Sequence, residues 1–145
     1  MPEPQASVHA TAVLVGAKAV LIRGPSGSGK SRLALRLLQS LPFARLVGDD
    51  RVHLLAANGR LLVRPASELA GLLEVRGLGI RRLPFEPLAA VGLVLDLAAH
   101  TERVPEPSAR ESELAGISLA RLGLPPDSDP LSAVLAALGR PVNGN

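Results

Sequence analysis

The residues best suited to chemistry lie in one glycine-rich stretch, G-x-x-x-x-G-K-S, which runs from Gly24 to Ser31. Glycines in such a stretch let consecutive backbone N–H groups turn inward around phosphate oxygens. Lys30 is expected to reach the β- and γ-phosphates of a nucleotide, and the Ser31 hydroxyl to bind Mg²⁺. The predicted phosphate-binding residues are Gly24, Pro25, Ser26, Gly27, Ser28, Gly29, Lys30 and Ser31. The motif predicts bound phosphate, but it fits a nucleotide hydrolase, a small-molecule kinase and a protein kinase equally well.

Two adjacent acids, Asp49 and Asp50, end the segment RLVGDD. In phosphate-loop folds the strand ends gather around the phosphates, so at least one of these carboxylates is expected near the γ-phosphate. Two acids permit a division of labour: one would hold the metal or a partner group, and the other would take a proton from an attacking hydroxyl. An acidic surface turn is the alternative interpretation.

The segment LLEVRGLGIRR offers a third acid, because Glu74 is flanked by apolar residues of a predicted strand. A carboxylate there is costly unless it is paired or metal-bound. The alternative is an exposed position on an edge strand. Arg76, Arg81 and Arg82 surround two glycines that permit close backbone approach, which suits a surface that grips an anion or a partner chain.

The elements around these residues predict an α/β fold rich in strands. A short apolar strand over 19–23 precedes the loop, and a helix over 31–41 follows it until Pro42 stops it. A further strand ends at Gly48, and Asn58–Gly59 predicts a two-residue hairpin between VHLLAA and RLLVRP. The most apolar strand covers 91–97, and a terminal helix begins near residue 130. Ordinary phosphate-loop enzymes alternate strands and helices more regularly.

Composition narrows the class of protein further. The 145 residues predict one domain, and 47% hydrophobic residues suffice for a packed core. With 1% aromatic residues and a net charge of +3, the chain is not expected to bind nucleic acid. It has no cysteine, no apolar run long enough to cross a membrane and no signal-peptide pattern, so we expect a cytoplasmic protein with loose tails over 1–6 and 141–145.

Four segments in order resemble the catalytic domain of the HPr kinase/phosphorylase family: SVHATAVLV, GPSGSGKSRLAL, LVGDDRV and LLEVRGLGI. The resemblance covers roughly residues 7–104 and implies the β-rich phosphate-loop fold of that family, which is related to phosphoenolpyruvate carboxykinase. It also implies an ATP- and Mg²⁺-dependent kinase that phosphorylates a serine of HPr, the phosphocarrier of the sugar phosphotransferase system. The segment similar to the family signature is Glu74, Val75, Arg76, Gly77, Leu78, Gly79 and Ile80.

The same resemblance implies roles for individual residues. His9 matches a catalytic histidine, and Lys30 matches the phosphate-binding lysine. Ser31 and Glu74 match the Mg²⁺ ligands. Asp49 and Asp50 match the paired acids, one of which is the base for the serine hydroxyl; Asp50 is favoured. Arg103, matched by spacing only, lies where the family has an active-site arginine.

The chain also departs from the family. Arg32 stands where the family usually has Glu, and residues 122–130 lack the arginines of the loop tied to phosphorolysis. The resemblance is to a short form that consists of the catalytic domain alone, and it implies a hexamer. Two alternatives stay open at this point: a non-catalytic nucleotide or phosphate sensor that regulates a signalling partner, and a small-molecule kinase.

Overall fold

The computed structural model describes residues 6–99 and 110–138. Two α-helices lie in these ranges, α1 (Lys30–Ser40) and α2 (Pro130–Leu138). The strands are β1 (Ala6–Val8), β2 (Thr11–Val15), β3 (Lys18–Arg23), β4 (Arg45–Gly48), β5 (Val52–Ala57), β6 (Arg60–Pro65), β7 (Leu72–Val75), β8 (Gly79–Arg82), β9 (Ala89–Asp96), β10 (Glu111–Leu114) and β11 (Ile117–Gly123). The predicted β-rich α/β class is therefore confirmed.

Nine strands form one curled sheet. Seven of them follow the path β1-β5-β6-β9-β3-β2-β4, and β11, with β10 paired to it, joins the sheet at β9. Strand β9 is the hub: it pairs with β3 in parallel along one edge, and along the other edge with β6 at its start and with β11 at its end. Because β3, β9 and β11 run in parallel, their carboxyl ends meet at one edge of the sheet. The loop after β3 that begins at Gly24 lies at that edge.

Two apolar layers form on the two faces of this sheet, because side chains alternate along a strand. One layer lies between the main strands and the curled part formed by β1, β5 and β6, and includes Leu21, Val63 and Val94. The other lies beneath the helices and includes Ile22, Leu37 of α1 and Val134 of α2. Aliphatic burial therefore fixes the sheet from both sides and makes a rigid base for the loop.

Several predicted local features are present. A strand, β3, precedes the loop, and β5 and β6 pair on either side of Asn58–Gly59. Helix α1 ends at Ser40, with Leu41 already extended before Pro42. Gly48 has to be glycine because a Cβ there would lie 2.7 Å from Val52 Cγ1. The backbone at the end of β4 can therefore pass close to Val52, directly before the acid pair.

Three regions differ from the sequence-based expectation. The segment around Glu74 forms two paired strands, β7 and β8, instead of one strand and loops. The polar stretch before residue 115, for which no strand was predicted, contains β10, which pairs with β11. Ala6, predicted to belong to a loose tail, begins β1 and pairs with Leu54. In each case long-range pairing supplies hydrogen bonds that local sequence patterns do not predict.

Candidate active site

The glycine-rich loop joins the end of β3 to the start of α1, as a phosphate-binding loop requires. Gly29 precedes the helix, no described side chain caps it, and the first turn contains no acid. The N–H groups of that turn and the positive end of the helix dipole therefore remain available to an anion. The Lys30 ammonium lies over its own loop, 2.8 Å from the Gly24 carbonyl oxygen and 3.2 Å from that of Pro25.

The interior of the loop holds a hydroxyl group without a partner. Ser28 Oγ is buried and forms no hydrogen bond with any described residue. A Cβ at position 24 would lie 2.5 Å from this oxygen, so only glycine at Gly24 leaves room for it. An unsatisfied buried hydroxyl costs free energy, and a phosphate oxygen bound in the loop would remove that cost. The loop therefore fits a phosphate group.

Asp49 is the most enclosed acid of the site and is 5% exposed. Its carboxylate accepts hydrogen bonds from Thr11 Oγ1 (2.7 Å to Oδ1) and from Ser31 Oγ (2.7 Å to Oδ1, 2.9 Å to Oδ2). The backbone N–H of Glu74 donates to Oδ2 over 3.3 Å. These donors are neutral, and no described cation forms an ion pair with Asp49, so the negative charge is available to a bound cation.

Asp50 lies in the opposite environment, although it is the next residue. Its side chain is exposed, and its backbone has a φ of 69°, a left-handed conformation that non-glycine residues rarely adopt. The Arg51 N–H donates to the Asp49 carbonyl oxygen over 2.7 Å, so Asp50 is the central residue of a γ-turn. This turn points one acid inward and leaves the next at the surface, where a hydroxyl group from another molecule can reach it.

Arg51 joins His9 to this turn. Its Nη2 lies 3.3 Å from His9 Nε2, and its Nη1 donates to Ser7 Oγ over 3.2 Å. Arginine has no acceptor atom, so in this contact Arg51 donates and His9 Nε2 accepts. His9 itself is exposed. The structure therefore brings the predicted histidine to the acid pair through Arg51, which the sequence analysis did not single out.

Glu74 lies in β7, but its side chain is exposed. The expectation of a buried carboxylate that needs a partner is therefore wrong: the buried neighbour on this strand is Leu73, and Glu74 alternates to the other face. Its backbone N–H nevertheless donates to Asp49, which also accepts from Ser31, so the backbone of β7 adjoins these two side chains. Their oxygen atoms are the ligand type that Mg²⁺ prefers. The described residues contain no cluster of three or more histidine, cysteine or acidic side chains.

A second ionic centre, which the sequence analysis missed, lies at the same edge of the sheet. Asp96 accepts hydrogen bonds from Arg23 Nε (2.7 Å) and Nη2 (2.8 Å), and from Arg121 Nε (2.6 Å). Burial alone would raise the pKa of Asp96, but the hydrogen bonds and charges of the two guanidinium groups outweigh it and hold the pKa below its usual value. Asp96 and Arg23 end β9 and β3, and Arg121 lies two residues before the end of β11, so only the parallel pairing could reveal their contact.

The remaining candidates have different outcomes. Arg103 lies outside the described residues, so its role remains a prediction. Arg32 is exposed on the first turn of α1. In the segment 122–130, Asp129 accepts from Leu131 N–H and Ser132 Oγ at the start of α2 and pairs with Arg36 of α1 at 3.4 Å.

Within residues 6–99 and 110–138, no helix combines the length and apolar character needed to span a membrane.

The fold and site together define a β-rich α/β protein with a phosphate-loop sequence beside an acid pair. The family model described as HPr Serine kinase C-terminal domain matches residues 3–83. That match covers more than half of the chain, and the chain belongs to this family. The predicted resemblance is therefore confirmed, and the matched part contains both acids, the loop and Glu74.

Curated relatives match between half and two thirds of the chain. The HPr kinase/phosphorylase of Clostridium beijerinckii is 43% identical over 77 residues, which cover 53% of this chain and 25% of that protein. The corresponding protein of Streptococcus thermophilus is 48% identical over 75 residues, or 51% of this chain and 24% of that protein. The one from Clostridium tetani is 39% identical over 94 residues, or 65% of this chain and 30% of that protein. The chain thus covers less than a third of the length of each of these relatives.

A solved structure matches almost the whole chain. The Hpr(Ser) kinase/phosphatase from Coxiella burnetii superposes with a TM-score of 0.75 and 25% sequence identity, covering 92% of this chain and 93% of that chain. The curled β-rich sheet is therefore shared with a known member of the class, including the part beyond residue 83 that the family model does not match.

Proposed function

We propose that this protein transfers the γ-phosphoryl group of ATP to a serine hydroxyl of HPr. The observation that supports this best is the opposite placement of two adjacent acids. Asp49 is buried against Ser31, Thr11 and the Glu74 N–H, while Asp50 is exposed at the apex of a turn. A hydrolase needs a positioned water, but an exposed acid beside a phosphate loop suits a hydroxyl group brought by another molecule.

In this proposal the loop amides and Lys30 hold the phosphates of ATP. Ser31, Asp49 and Glu74 hold Mg²⁺, which would neutralise charge on the transferred group. Asp50 accepts the proton of the serine hydroxyl as the new P–O bond forms and the bond to ADP breaks. His9, held by Arg51, lies beside the acids and adjusts the charge there. Phosphoryl transfer depends mainly on positioning and charge neutralisation, so these groups are of the kinds that the reaction needs.

The proposal is confined to the forward transfer. The segment 122–130 has no arginine, and Asp129 is engaged in capping α2. Release of pyrophosphate from phosphoserine-HPr on addition of inorganic phosphate would show that the reverse reaction also occurs. A cytoplasmic location, a hexamer and the absence of nucleic-acid or membrane partners stay predictions.

The direct test is incubation with ATP, Mg²⁺ and purified HPr, followed by mass spectrometry of the phosphorylated peptide. We expect one phosphoserine in wild-type reactions and none with Lys30→Ala. Tight ATP binding without transfer would instead support the nucleotide sensor. Transfer to small hydroxyl compounds but not to HPr would support the small-molecule kinase.

A further inference from the structure

Strands β7 and β8 form a hairpin that stands apart from the main sheet. Within the described residues they pair only with each other, in antiparallel register from Leu72–Arg82 to Val75–Gly79. Leu73 is fully buried in the layer beneath the helices and anchors the hairpin. Beyond this anchor all four residues of β8 are exposed. The sheet therefore supports the hairpin at one side and leaves the other side open.

The open side carries both apolar and cationic groups. Leu78 and Ile80 are 61% and 64% exposed, the highest values among the large hydrophobic residues of the described part. Arg76 and Arg82 are exposed beside them. We call Arg76, Leu78, Ile80 and Arg82 the hairpin patch. Single exposed aliphatic residues are common, but adjacent ones bordered by arginine are typical of protein interfaces.

The register places Ile80 and Arg82 of this patch on the same face as Glu74, and Arg76 and Leu78 lie in the turn that joins the two strands. Ile80 is directly opposite Glu74 in the antiparallel pair, and directly opposed residues project to the same side of a hairpin. Arg82, two residues further, projects to that side as well, whereas Arg81 is opposite the buried Leu73 and belongs to the other face. Since the Glu74 N–H donates to Asp49, the patch extends outward from the candidate active site.

We infer that the hairpin patch is the docking surface for the protein that supplies the acceptor serine, and this inference rests on the proposed function. Aliphatic side chains contribute nothing to binding phosphate, so the phosphate groups of the nucleotide do not explain Leu78 and Ile80. A protein does, because it buries aliphatic groups around the reacting residue. The two guanidinium groups require carboxylates opposite them, so the acceptor presents an acidic border around an apolar centre beside its serine.

The experiment compares two variants with a matched control. Leu78→Ser removes an apolar contact, and Arg82→Glu reverses a charge on the patch. Arg81→Glu makes the same charge change one residue away, on the other face. For each protein we would measure the KM for HPr, HPr binding by calorimetry, affinity for a fluorescent ATP analogue and oligomeric mass by light scattering.

We expect each patch variant to raise the KM and Kd for HPr about tenfold, as loss of a well-buried interface contact does. Affinity for the ATP analogue and the oligomeric mass should not change, and Arg81→Glu should behave as wild type. Added salt should weaken HPr binding by the wild-type protein more than binding by Arg82→Glu, because one charge pair is missing in the variant.

Three results would overturn the inference. Unchanged KM and Kd in both patch variants, with normal wild-type transfer to HPr, would reject the docking surface and leave the proposed function intact. A fall in oligomeric mass with unchanged HPr binding would show that a second copy of the chain covers the patch. Wild-type protein that neither binds nor phosphorylates HPr would reject both the function and the docking surface.

Discussion

Asp49 and Asp96 are two carboxylates at one edge of the sheet, and they have opposite environments. Asp49 is surrounded by neutral donors, the hydroxyls of Thr11 and Ser31 and the Glu74 N–H. Asp96 is held by the guanidinium groups of Arg23 and Arg121. A carboxylate with neutral partners keeps its full charge for a bound cation, whereas one between two arginines has its charge already compensated. The comparison separates a candidate catalytic acid from a structural one.

The two centres also differ in what surrounds them in the chain. The acid after Asp49 is exposed and has an unfavourable backbone conformation, which is common at functional sites. Asp96 itself lies in regular strand pairing, since the Leu124 N–H donates to its carbonyl oxygen over 2.9 Å, and the nearest positive φ is at Ala98, in the turn two residues later. An unfavourable backbone conformation and an uncompensated carboxylate charge thus occur together at Asp49–Asp50. At Asp96, regular strand pairing occurs together with a charge that two arginines compensate.

The largest expected effect is loss of transfer in Asp49→Asn. The substitution keeps the shape but removes the charge that would hold the metal, so we expect the rate of HPr phosphorylation to fall about 10³-fold. Asp96→Asn should lower the rate far less. Single-turnover transfer measured on both variants at saturating ATP checks this, and equal losses would remove the distinction between the two acids.

Asp50→Asn should lower kcat by about 10²-fold, the low end of the usual contribution of a general base, because phosphoryl transfer depends mainly on positioning and charge neutralisation. Because the side chain is exposed, ATP affinity and the unfolding midpoint should remain at wild-type values. A variant that retains more than half of the wild-type kcat would show that Asp50 is not the base.

Asp96→Asn should mainly affect stability. It leaves two partly buried guanidinium groups without a compensating charge, so the free energy of unfolding should decrease by about 2 kcal/mol. Urea denaturation of wild type and variant measures the difference. Asp129→Asn provides a comparison, since that residue also pairs with an arginine but at an exposed position. A larger destabilisation in Asp129→Asn would contradict the assignment.

Low pH should remove the contribution that Asp96 makes to the free energy of unfolding. Its folded-state pKa is below the unfolded value of about 3.9, so its contribution to stability is fully present above that pH. It is lost as the pH falls through the folded-state pKa. The difference in unfolding free energy between wild type and Asp96→Asn should therefore be constant from neutral pH to about 5 and decrease below about 4. A difference that persists unchanged at pH 2 would exclude this linkage.

The smallest expected effect is a gain in stability. Asp50→Gly removes the positive-φ penalty of a non-glycine residue, and we expect the free energy of unfolding to rise by about 0.5 kcal/mol. Phosphorylation of HPr should be lost in the same variant. Thermal unfolding and the transfer assay together test whether the strained turn is retained for activity, and Asn58→Gly, also at positive φ, is the control that should keep activity.

Much of the site was predictable because it depends on short-range sequence. The loop, the helix that follows it and the hairpin at Asn58–Gly59 each depend on neighbouring residues with fixed conformational preferences. The placement of Glu74 was not predictable in the same way. Apolar neighbours suggested burial, but alternation along β7 turned Leu73 inward and Glu74 outward. Strand β8, which pairs with β7, was also not predicted, because its residues are all exposed and show no alternation of buried and exposed positions.

The sequence by itself determined the glycine-rich loop, the strand before it, the helix after it and the family of the protein, because these depend on residue types at fixed spacing. Only the tertiary structure decided which of two adjacent acids is buried, since this depends on Thr11, Ser31 and the Glu74 N–H arriving from three distant elements. The contact of Arg23, Arg121 and Asp96 has the same origin. Parallel pairing of β3, β9 and β11 brings their ends together, and no local pattern encodes that register.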